Sequence, residues 1–542
     1  MEPAEIPKSI YLIYFAPMSL LTPYRVVIVG AGFAGTATAV ALLRAWRSGP
    51  LEVTLLERSG DFGPGVAFST PDRSHLLNVV AGGMSALPGA PDHFLDWLRE
   101  RDGHAHAGSF APRRAYGAYL RELLATAERE AATADGAVRV VRSAEPAVRV
   151  HDARDGRPAV VVTGAGRRLA GDAVVLAVGV NRPRVPSGTD PALLATAAWV
   201  GDPWDHARIA ALADAERVLF LGSGLTMVDV AVTLAGGGTG EAGREGDTGG
   251  TGGGVRRTGA GGRGRRSGAG GGVQTARSGP ALVALSRRGV LPRAHRSAPP
   301  PHLAPYRPPT GPLTADRLAA HVEAAALAEV AAGGDWRTVV DGVRPYTQQL
   351  WQALPLGEQA RFLARHARRW EVHRHRMAPA VATTIRALRA SGRLELRAGA
   401  LLRLAVSSSG SGVVARYRTG DGGERIVSAD AVVNCTGPDP APGADGDPLL
   451  SALIEDRLGR AGPLGLGLDT GPDGELCDCD GRRSSRLFTL GALRRGQLWE
   501  TTAVPEIRVQ ADELGRLLAA RGTLALAEAA RGARETAAAD AA

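Results

Sequence analysis

Val26-Val27-Ile28-Val29-Gly30-Ala31-Gly32-Phe33-Ala34-Gly35 is the stretch that decides the fold of this chain. Four β-branched residues in a row favour a buried parallel strand. The three glycines predict a tight turn, a close approach of backbone to a pyrophosphate, and a helix packed closely on the strand. A second strand, predicted over Leu51 to Leu56, ends in Glu57, where an acid accepts a hydrogen bond from a ribose hydroxyl. We therefore predict a dinucleotide-binding domain with these cofactor-binding residues: Gly30, Gly32, Gly35 and Glu57.

The same plan begins again near Arg217. The stretch from Val218 to Met227 predicts a strand, a turn containing Gly222 and Gly224, and a helix, although Met227 occupies the third glycine position. Two later stretches, Asp172 to Gly179 and Asp430 to Gly437, share an Asp-Ala-Val-Val pattern that ends in glycine and would close the two units. Gly179 and Gly437 are therefore predicted to contact cofactor as well. The predicted class is α/β, with two Rossmann-like domains, the second inserted in the first, and with additional β-meanders.

The residues that end the second strand of each unit indicate which nucleotide it takes. Glu57 would repel a 2′-phosphate and suits the adenosine ribose of FAD. In the second unit the strand from Ala281 to Leu285 runs into Arg287 and Arg288, which suit the 2′-phosphate of NADPH. NADH stays possible, because surface arginines are common in this chain. FAD in one unit and NADPH in the other predict hydride transfer to a flavin.

Composition excludes several other classes. The 542 residues predict more than one domain, and 44% hydrophobic with 22% charged residues is typical of a globular protein. Lys8 is the only lysine, which excludes a Schiff base or a P-loop elsewhere in the chain. Cys435, Cys477 and Cys479 form no CxxC, so neither a redox disulfide nor a zinc site is expected, and scattered thiols suggest the cytoplasm. No metal site and no membrane-spanning segment are predicted.

The predicted domains follow the two glycine turns. A segment over 236–280, rich in glycine and arginine, has too few apolar residues to order itself, and it carries part of the net charge of +9. We therefore discount nucleic-acid binding. The boundaries are a disordered leader over 1–23, the first part of the FAD-binding domain over 24–215, the NAD(P)-binding domain over 216–437 with its disordered low-complexity surface insertion, and the C-terminal part of the FAD-binding domain over 438–542.

Local patterns predict further elements. Short strands over 138–142, 147–150 and 159–162 read as a β-meander, and helices are predicted over 315–332, 346–354, 357–369 and 505–519. The last of these is entered through Pro505.

Several stretches carry a family resemblance. The chain resembles the bacterial FAD/NAD(P)-binding proteins with two dinucleotide-binding units, is similar to the FAD-dependent urate hydroxylases, and is more distantly similar to flavin-dependent N-hydroxylating monooxygenases. The resemblance implies bound FAD, a pyridine nucleotide reductant and a monooxygenase-type reaction. The matching stretches are 30–35, 75–78, 110–120, 222–229, 370–379, 434–438 and 499–508.

Three polar residues are the candidates for catalysis. Asn78 is the residue most suited to face the flavin ring; otherwise it caps a turn. His373 and His375, interleaved with arginines, could bind an anionic or purine-like substrate or the nicotinamide phosphates, and at strand spacing they would share one face. The alternative is a solvated basic helix end. Gly491 resembles the last flavin contact, and the helix within Trp499 to Arg508 would direct its N-terminus at the flavin.

These features predict an FAD-dependent, NAD(P)H-driven monooxygenase. Since a redox disulfide is absent, molecular oxygen is the expected electron acceptor, and hydroxylation of a small urate-like heteroaromatic or an amine would proceed through a flavin hydroperoxide. One alternative is an NAD(P)H oxidase or diaphorase without hydroxylation. Another is a flavoprotein that binds a partner or nucleic acid through the arginine-glycine insertion. The sequence leaves the oligomeric state open.

Overall fold

The fold is taken from a computed structural model, which describes residues 22–47, 49–132, 137–152, 157–237, 279–297, 306–443 and 447–540. The predicted leader and insertion lie almost entirely outside these residues. The strands are β1 Tyr24–Val29, β2 Leu51–Leu56, β3 Val138–Ser143, β4 Ala147–His151, β5 Ala159–Thr163, β6 Arg168–Gly171, β7 Ala173–Leu176, β8 Trp199–Val200, β9 Arg217–Leu221, β10 Ala281–Ser286, β11 Leu394–Ala398, β12 Ala400–Val406, β13 Val413–Arg418, β14 Glu424–Ala429, β15 Ala431–Asn434, β16 Glu475–Cys477 and β17 Arg483–Thr489.

The α-helices connect and cover these strands. They are α1 Phe33–Ala45, α2 Gly65–Phe68, α3 His93–Arg99, α4 Arg113–Ala132, α5 Pro191–Leu194, α6 His206–Ala210, α7 Leu225–Val232, α8 Ala315–Ala331, α9 Trp336–Val343, α10 Thr347–Ala353, α11 Leu356–Arg365, α12 Ala367–Arg374, α13 Pro379–Ala390, α14 Pro448–Glu455, α15 Arg495–Leu498 and α16 Val504–Asp540. Within the part of the chain that the structure describes, no helix combines the length and apolar character needed to span a membrane.

The first sheet is built around β1. Its strand order is β16-β17-β7-β1-β2-β3, and β1 pairs in parallel with β2 and β7. Side chains of β1 alternate between two cores: Val26 and Ile28 pack with α1, α4 and α16 on one face, while Val27 and Val29 pack with α14 on the other. A strand buried on both faces needs a continuous β-branched run, which is the pattern that the sequence has here.

Along the chain, the strands of the second sheet come between β7 and β16 of the first sheet. The order of the second sheet is β11-β10-β9-β15-β8, all paired in parallel, and the chain returns to the first sheet through β16 and β17. The predicted fold class, two Rossmann-like units with the second inserted in the first, is confirmed. The second sheet includes β8, although Trp199 and Val200 precede residue 216, where the second domain was predicted to begin.

Three local predictions are corrected by the structure. The predicted meander starts one strand too early, because β3 pairs in parallel with β2 at the edge of the first sheet, and the antiparallel meander consists of β4, β5 and β6. The single helix predicted over 357–369 is two helices, α11 and α12, which meet at His366. The last helix runs to Asp540, far beyond residue 519, because close packing on α1 and an alanine-rich sequence extend it.

A helical segment, α8 to α12, lies between β10 and α13. Its core is aromatic: the indole of Trp351 stacks on that of Trp499 with ring centroids 5.0 Å apart, and Phe362 meets Trp499 edge-on. Trp499 comes from the C-terminal part of the chain, so this cluster attaches the helical segment to the residues that precede α16.

Candidate dinucleotide cleft

Both glycine turns open on one cavity of about 850 Å³. The first turn contributes Gly30 and Gly32, and the second contributes Gly224 at the N-terminus of α7. Gly179, Gly491 and the predicted Asn78 also line it. This size lies within the range of cofactor and ligand sites. The parallel sheets place their carboxyl ends and glycine turns at this cavity, which is where α/β proteins bind ligands.

The first turn is shaped by three glycines with different tasks. Gly30 has φ of 91°, and a Cβ there would lie 2.4 Å from the carbonyl oxygen of Ala177. A Cβ on Gly35 would lie 1.9 Å from the carbonyl oxygen of Gly30, so α1 can approach β1 only without a side chain at this position. Gly32 is the N-cap residue of α1 and has extended backbone (φ −70°, ψ −165°). A Cβ there would lie 3.3 Å from Cα of Gly65, which also lines the cavity, so the missing side chain serves this close approach rather than an unusual conformation.

Glu57 lies at the cavity wall and is fixed by the turn. One carboxylate oxygen accepts a hydrogen bond from the backbone N–H of Ala31 at 3.0 Å, and the other accepts from the backbone N–H and hydroxyl of Ser59. The carboxylate therefore joins the end of β2 to the glycine turn. A carboxylate has about four acceptor sites, and these three hydrogen bonds use three of them, so one remains for the predicted ribose contact.

The second turn resembles the first in its backbone. Gly222 has φ of 107°, and a Cβ there would lie 2.2 Å from the carbonyl oxygen of Cys435. Gly224 has no heavy atom within 4 Å of its Cβ position and faces the cavity. Gly437 also has a positive φ of 88°, but neither it nor Gly222 lines the cavity; the neighbouring Pro438 does.

Arg287 and Arg288 are exposed beside this turn, and a third arginine joins them. Arg368, on α12, lines the cavity, and its guanidinium lies 3.2 Å from the carbonyl oxygen of Val290 and 3.4 Å from that of Ser223. Burial lowers the pKa of Arg368, and the charges of Arg288 and Arg287 lower it further against the effect of Glu371. The positive charges of Arg287 and Arg288 therefore act on Arg368. Sequence reasoning missed Arg368, because only the packing of α12 brings it to the turn.

His373 and His375 do not share one face, so that prediction is wrong. His373 lies within α12 and His375 is its C-cap residue, and helical geometry turns the two side chains apart. His375 lines the dinucleotide cavity, whereas His373 lines a separate cavity. The alternative, a solvated basic helix end, also fails, because Arg374 and Arg376 are buried, at 9% and 3% exposure. Arg374 donates to Glu500 at 3.1 Å, and Arg376 is paired with Asp341.

Two histidines near the cavity are held neutral. Burial lowers the pKa of His375 to about 4, with further lowering by Arg374 and Arg495. Burial also lowers the pKa of His295 to about 4, and Arg376 adds to this. Nε2 of His295 donates to the backbone carbonyl oxygen of Asn78 at 2.9 Å, which fixes the backbone of the predicted flavin-facing residue. His295 was not a predicted site residue.

We expect these two histidines to destabilise the protein in mild acid. The unfolded side chains have a pKa near 6.5 and the folded ones near 4, so the unfolded chain binds more protons between pH 4 and 6.5 and stability falls as the pH falls through this window. At pH 5 the loss is about 1–2 kcal/mol for each histidine. Urea unfolding at pH 7.5 and pH 5 measures it. His375→Gln should remove its share, and exposed His104→Gln should not; equal slopes in both variants would contradict the assignment.

A buried polar network joins the two nucleotide-binding units beside the cavity. Arg113, at the start of α4, forms an ion pair with Asp229 of α7 at 2.8 Å, with side-chain exposures of 13% and 7%. Nε2 of His75 lies 2.9 Å from the hydroxyl of Thr233 and 3.1 Å from the carbonyl oxygen of Asp229. Burial raises the pKa of Asp229, which Arg113 opposes. Arg113 and Asp229 lie in stretches that carry the family resemblance, but only the tertiary structure shows that they form an ion pair.

The far wall of the cavity is the entrance to α16. Thr502, Ala503 and Val504 line it, together with Gly491, whose N–H donates to Gln510 at 3.1 Å. The predicted helix N-terminus is therefore at the cavity. Trp499, which precedes it, has φ of 58°, a conformation that is strained for a bulky side chain.

One group of potential metal ligands exists among the described residues. Asp478, Cys479 and Asp480 bring three ligand atoms within 4.8 Å of one another in the turn between β16 and β17. None of the three lines the dinucleotide cavity.

Comparison with known proteins agrees with this architecture. Residues 27–181 match a sequence-family model described as FAD-NAD(P)-binding. The chain is similar to the reduced form of an ornithine hydroxylase from Pseudomonas aeruginosa, with a TM-score of 0.57, 16% identity, and coverage of 92% of this chain and 99% of the other. It is also similar to L-lysine 6-monooxygenase from Pseudomonas syringae (0.57, 18%, 92% and 100%) and to ornithine N-hydroxylase from Kutzneria sp. 744 (0.57, 14%, 92% and 100%).

These comparisons confirm the resemblance to FAD/NAD(P)-binding flavoproteins and the shared fold with N-hydroxylating monooxygenases. Curated protein sequences give no significant match.

Proposed function

We propose that this chain is an FAD-dependent, NADPH-driven oxidoreductase of the monooxygenase type. One observation carries the proposal: a single cavity is lined by both glycine turns, so the two dinucleotides would meet in one cleft. The family match supports FAD and NAD(P) as the cofactors. The related Kutzneria structure is described with reduced FAD, NADP⁺ and L-ornithine, which supports the same pair of cofactors here.

The residues at the first turn fit FAD. Gly32, which lines the cavity, and the N-terminus of α1 would receive its pyrophosphate, and Glu57 would accept from its ribose. Gly491 and the N-terminus of α16 would face its ring end, where the helix dipole favours negative charge. When bound, FAD supplies two-electron chemistry between a reduced nicotinamide and molecular oxygen.

The substrate would bind near Asn78 and His375. With a pKa near 4, His375 is a neutral imidazole at pH 7, so it would offer one donor and one acceptor rather than a charge. We propose a small urate-like heteroaromatic or an amine, hydroxylated at the expense of NADPH and oxygen. The related enzymes from Pseudomonas are named for ornithine and lysine, which supports the amine class as strongly as the sequence resemblance supports urate.

Reconstitution with FAD tests the proposal directly. We expect a flavin absorption band at roughly 450 nm after excess FAD is removed, and NADPH oxidation that a substrate from a panel of urate, purines and amines stimulates. Hydroxylated product should then account for part of the oxygen consumed. Oxygen recovered wholly as peroxide across the panel would instead identify an NAD(P)H oxidase, and absence of the flavin band would reject both enzymes.

Replacing Arg287 and Arg288 with alanine should selectively impair NADPH use. A charge-assisted contact to the 2′-phosphate is worth about 1.5–3 kcal/mol, so the KM for NADPH should rise roughly tenfold or more while that for NADH changes little. Steady-state kinetics with both nucleotides measures this. The matched control is the double replacement of Arg416 and Arg418, exposed arginines on β13. Equal effects on NADPH and NADH would show that Arg287 and Arg288 do not read the phosphate.

A further inference from the structure

A second cavity, of about 460 Å³, lies within the helical segment α8 to α12. Four of the eight tryptophans of the chain line it, namely Trp336, Trp351, Trp370 and Trp499. For a protein with only 5% aromatic residues, this concentration at one cavity is large. We propose that this cavity is a second small-molecule site, which binds a planar aromatic ring that carries a carboxylate.

Helix α12 separates this aromatic cavity from the dinucleotide cleft. His366, which precedes the helix, and Arg369, Trp370 and His373 on one face line the aromatic cavity, while Arg368 and Glu371 on the other face line the cleft. The first set follows the i, i+3, i+4, i+7 spacing of a helix, and the second follows the i, i+3 spacing. The aromatic cavity is therefore a distinct compartment, and its occupant need not be the molecule that reacts in the cleft.

The tryptophan side chains in the cavity wall leave apolar ring surface for an aromatic ligand. The indole N–H of Trp351 donates to the carbonyl oxygen of Gly496 at 2.9 Å, and that of Trp370 donates to Glu500 at 2.5 Å. Their polar atoms are thus already satisfied, and apolar ring surface remains for a ligand. Aromatic rings attract one another in stacked and edge-on arrangements beyond the effect of apolar burial.

The charge at the rim favours an anion. Arg369 is paired with Glu323 at 2.5 Å and Arg337 with Asp335 at 3.1 Å, so these two cations are already compensated. Arg293 also lines the cavity, is exposed, and has no ion-pair partner among the described residues. Its backbone is held by hydrogen bonds to Val372 and Met377, which places the side chain at the rim. The guanidinium of Arg293, which is not ion-paired among the described residues, could bind the carboxylate of an aromatic ligand whose ring occupies the cavity.

The test uses 2-naphthoate as the probe and isothermal titration calorimetry as the measurement. The protein is loaded with FAD and saturated with NADP⁺, so that the cleft is filled, and no turnover is needed. We expect saturable binding of one 2-naphthoate per chain, and weaker binding of the uncharged 2-naphthamide. Arg293→Ala should weaken 2-naphthoate roughly tenfold or more and leave 2-naphthamide unchanged.

Two further variants keep the proposal falsifiable. Ala326→Trp would fill the cavity from α8, at a half-buried position, and should abolish binding of both probes. Arg307→Ala, at an exposed arginine that precedes α8 and does not line the cavity, should change neither. Binding that survives Ala326→Trp, or no saturable binding at all, would overturn the proposal. A chain that is dimeric by sedimentation, becomes monomeric with Ala326→Trp and does not bind 2-naphthoate would overturn it too, and would make this face a self-association surface.

Discussion

The Gly32→Val variant is expected to lose FAD retention while keeping its fold. Gly32 has extended backbone that valine adopts readily, so the change adds no backbone strain. The added Cβ would lie 3.3 Å from Cα of Gly65, which also lines the cavity, so the valine side chain would take up space in the cavity wall at the N-terminus of α1. Loss of the pyrophosphate contacts there should weaken FAD roughly a hundredfold or more.

Absorbance of the purified and reconstituted protein, with fluorescence titration of FAD, measures the loss. Gly32→Ala should give an intermediate affinity, since its single Cβ needs a shift of only a few tenths of an ångström. Gly420→Val is the matched control, because this glycine is exposed, does not line the cavity and has free space around its Cβ position. Wild-type FAD affinity in Gly32→Val would refute the placement of the FAD site.

Asp229→Ala is expected to be strongly destabilising. The change leaves the guanidinium of Arg113, only 13% exposed, without its carboxylate between the two nucleotide-binding units. Breaking a buried ion pair in this way costs about 3–5 kcal/mol. The free energy of unfolding, obtained from urea denaturation, measures this loss. The double variant Asp229→Ala with Arg113→Ala should recover part of it, because the double variant has no unpaired buried charge.

Asp512→Ala provides a matched control for this variant. Asp512 pairs with Arg516 on α16 at the same N–O distance of 2.8 Å, but the arginine is 70% exposed. An exposed pair contributes about 0–1 kcal/mol, so the control should unfold nearly as the wild type does. Equal losses in Asp229→Ala and Asp512→Ala would show that the Arg113–Asp229 pair contributes no more than a surface contact.

The sequence predicts those parts of this protein whose backbone geometry is set by residues that are close together in the chain. The β-branched run of β1 must be buried on both faces, and the spacing of Gly30, Gly32 and Gly35 admits only a tight turn followed by a closely packed helix. The same reasoning finds the second turn at Gly222. Because these constraints act within about ten residues, no tertiary contact is needed to recognise them.

Local pattern is insufficient where partners come from distant parts of the chain. The apolar alternation of β3 is the same for a meander strand and for a parallel edge strand, and only its pairing with β2 decides between them. The helical geometry of α12 turns His373 and His375 into different cavities, although they are two residues apart.

The sequence by itself determined the two dinucleotide-binding units, their order and the insertion of one in the other. The tertiary structure alone decided which side chains surround the cleft: it brought Arg368 to the second turn, His295 to Asn78 and Arg113 to Asp229. The physical reason is that backbone turns are encoded by neighbouring residues, whereas the electrostatics of a cleft depend on packing between helices far apart in the chain.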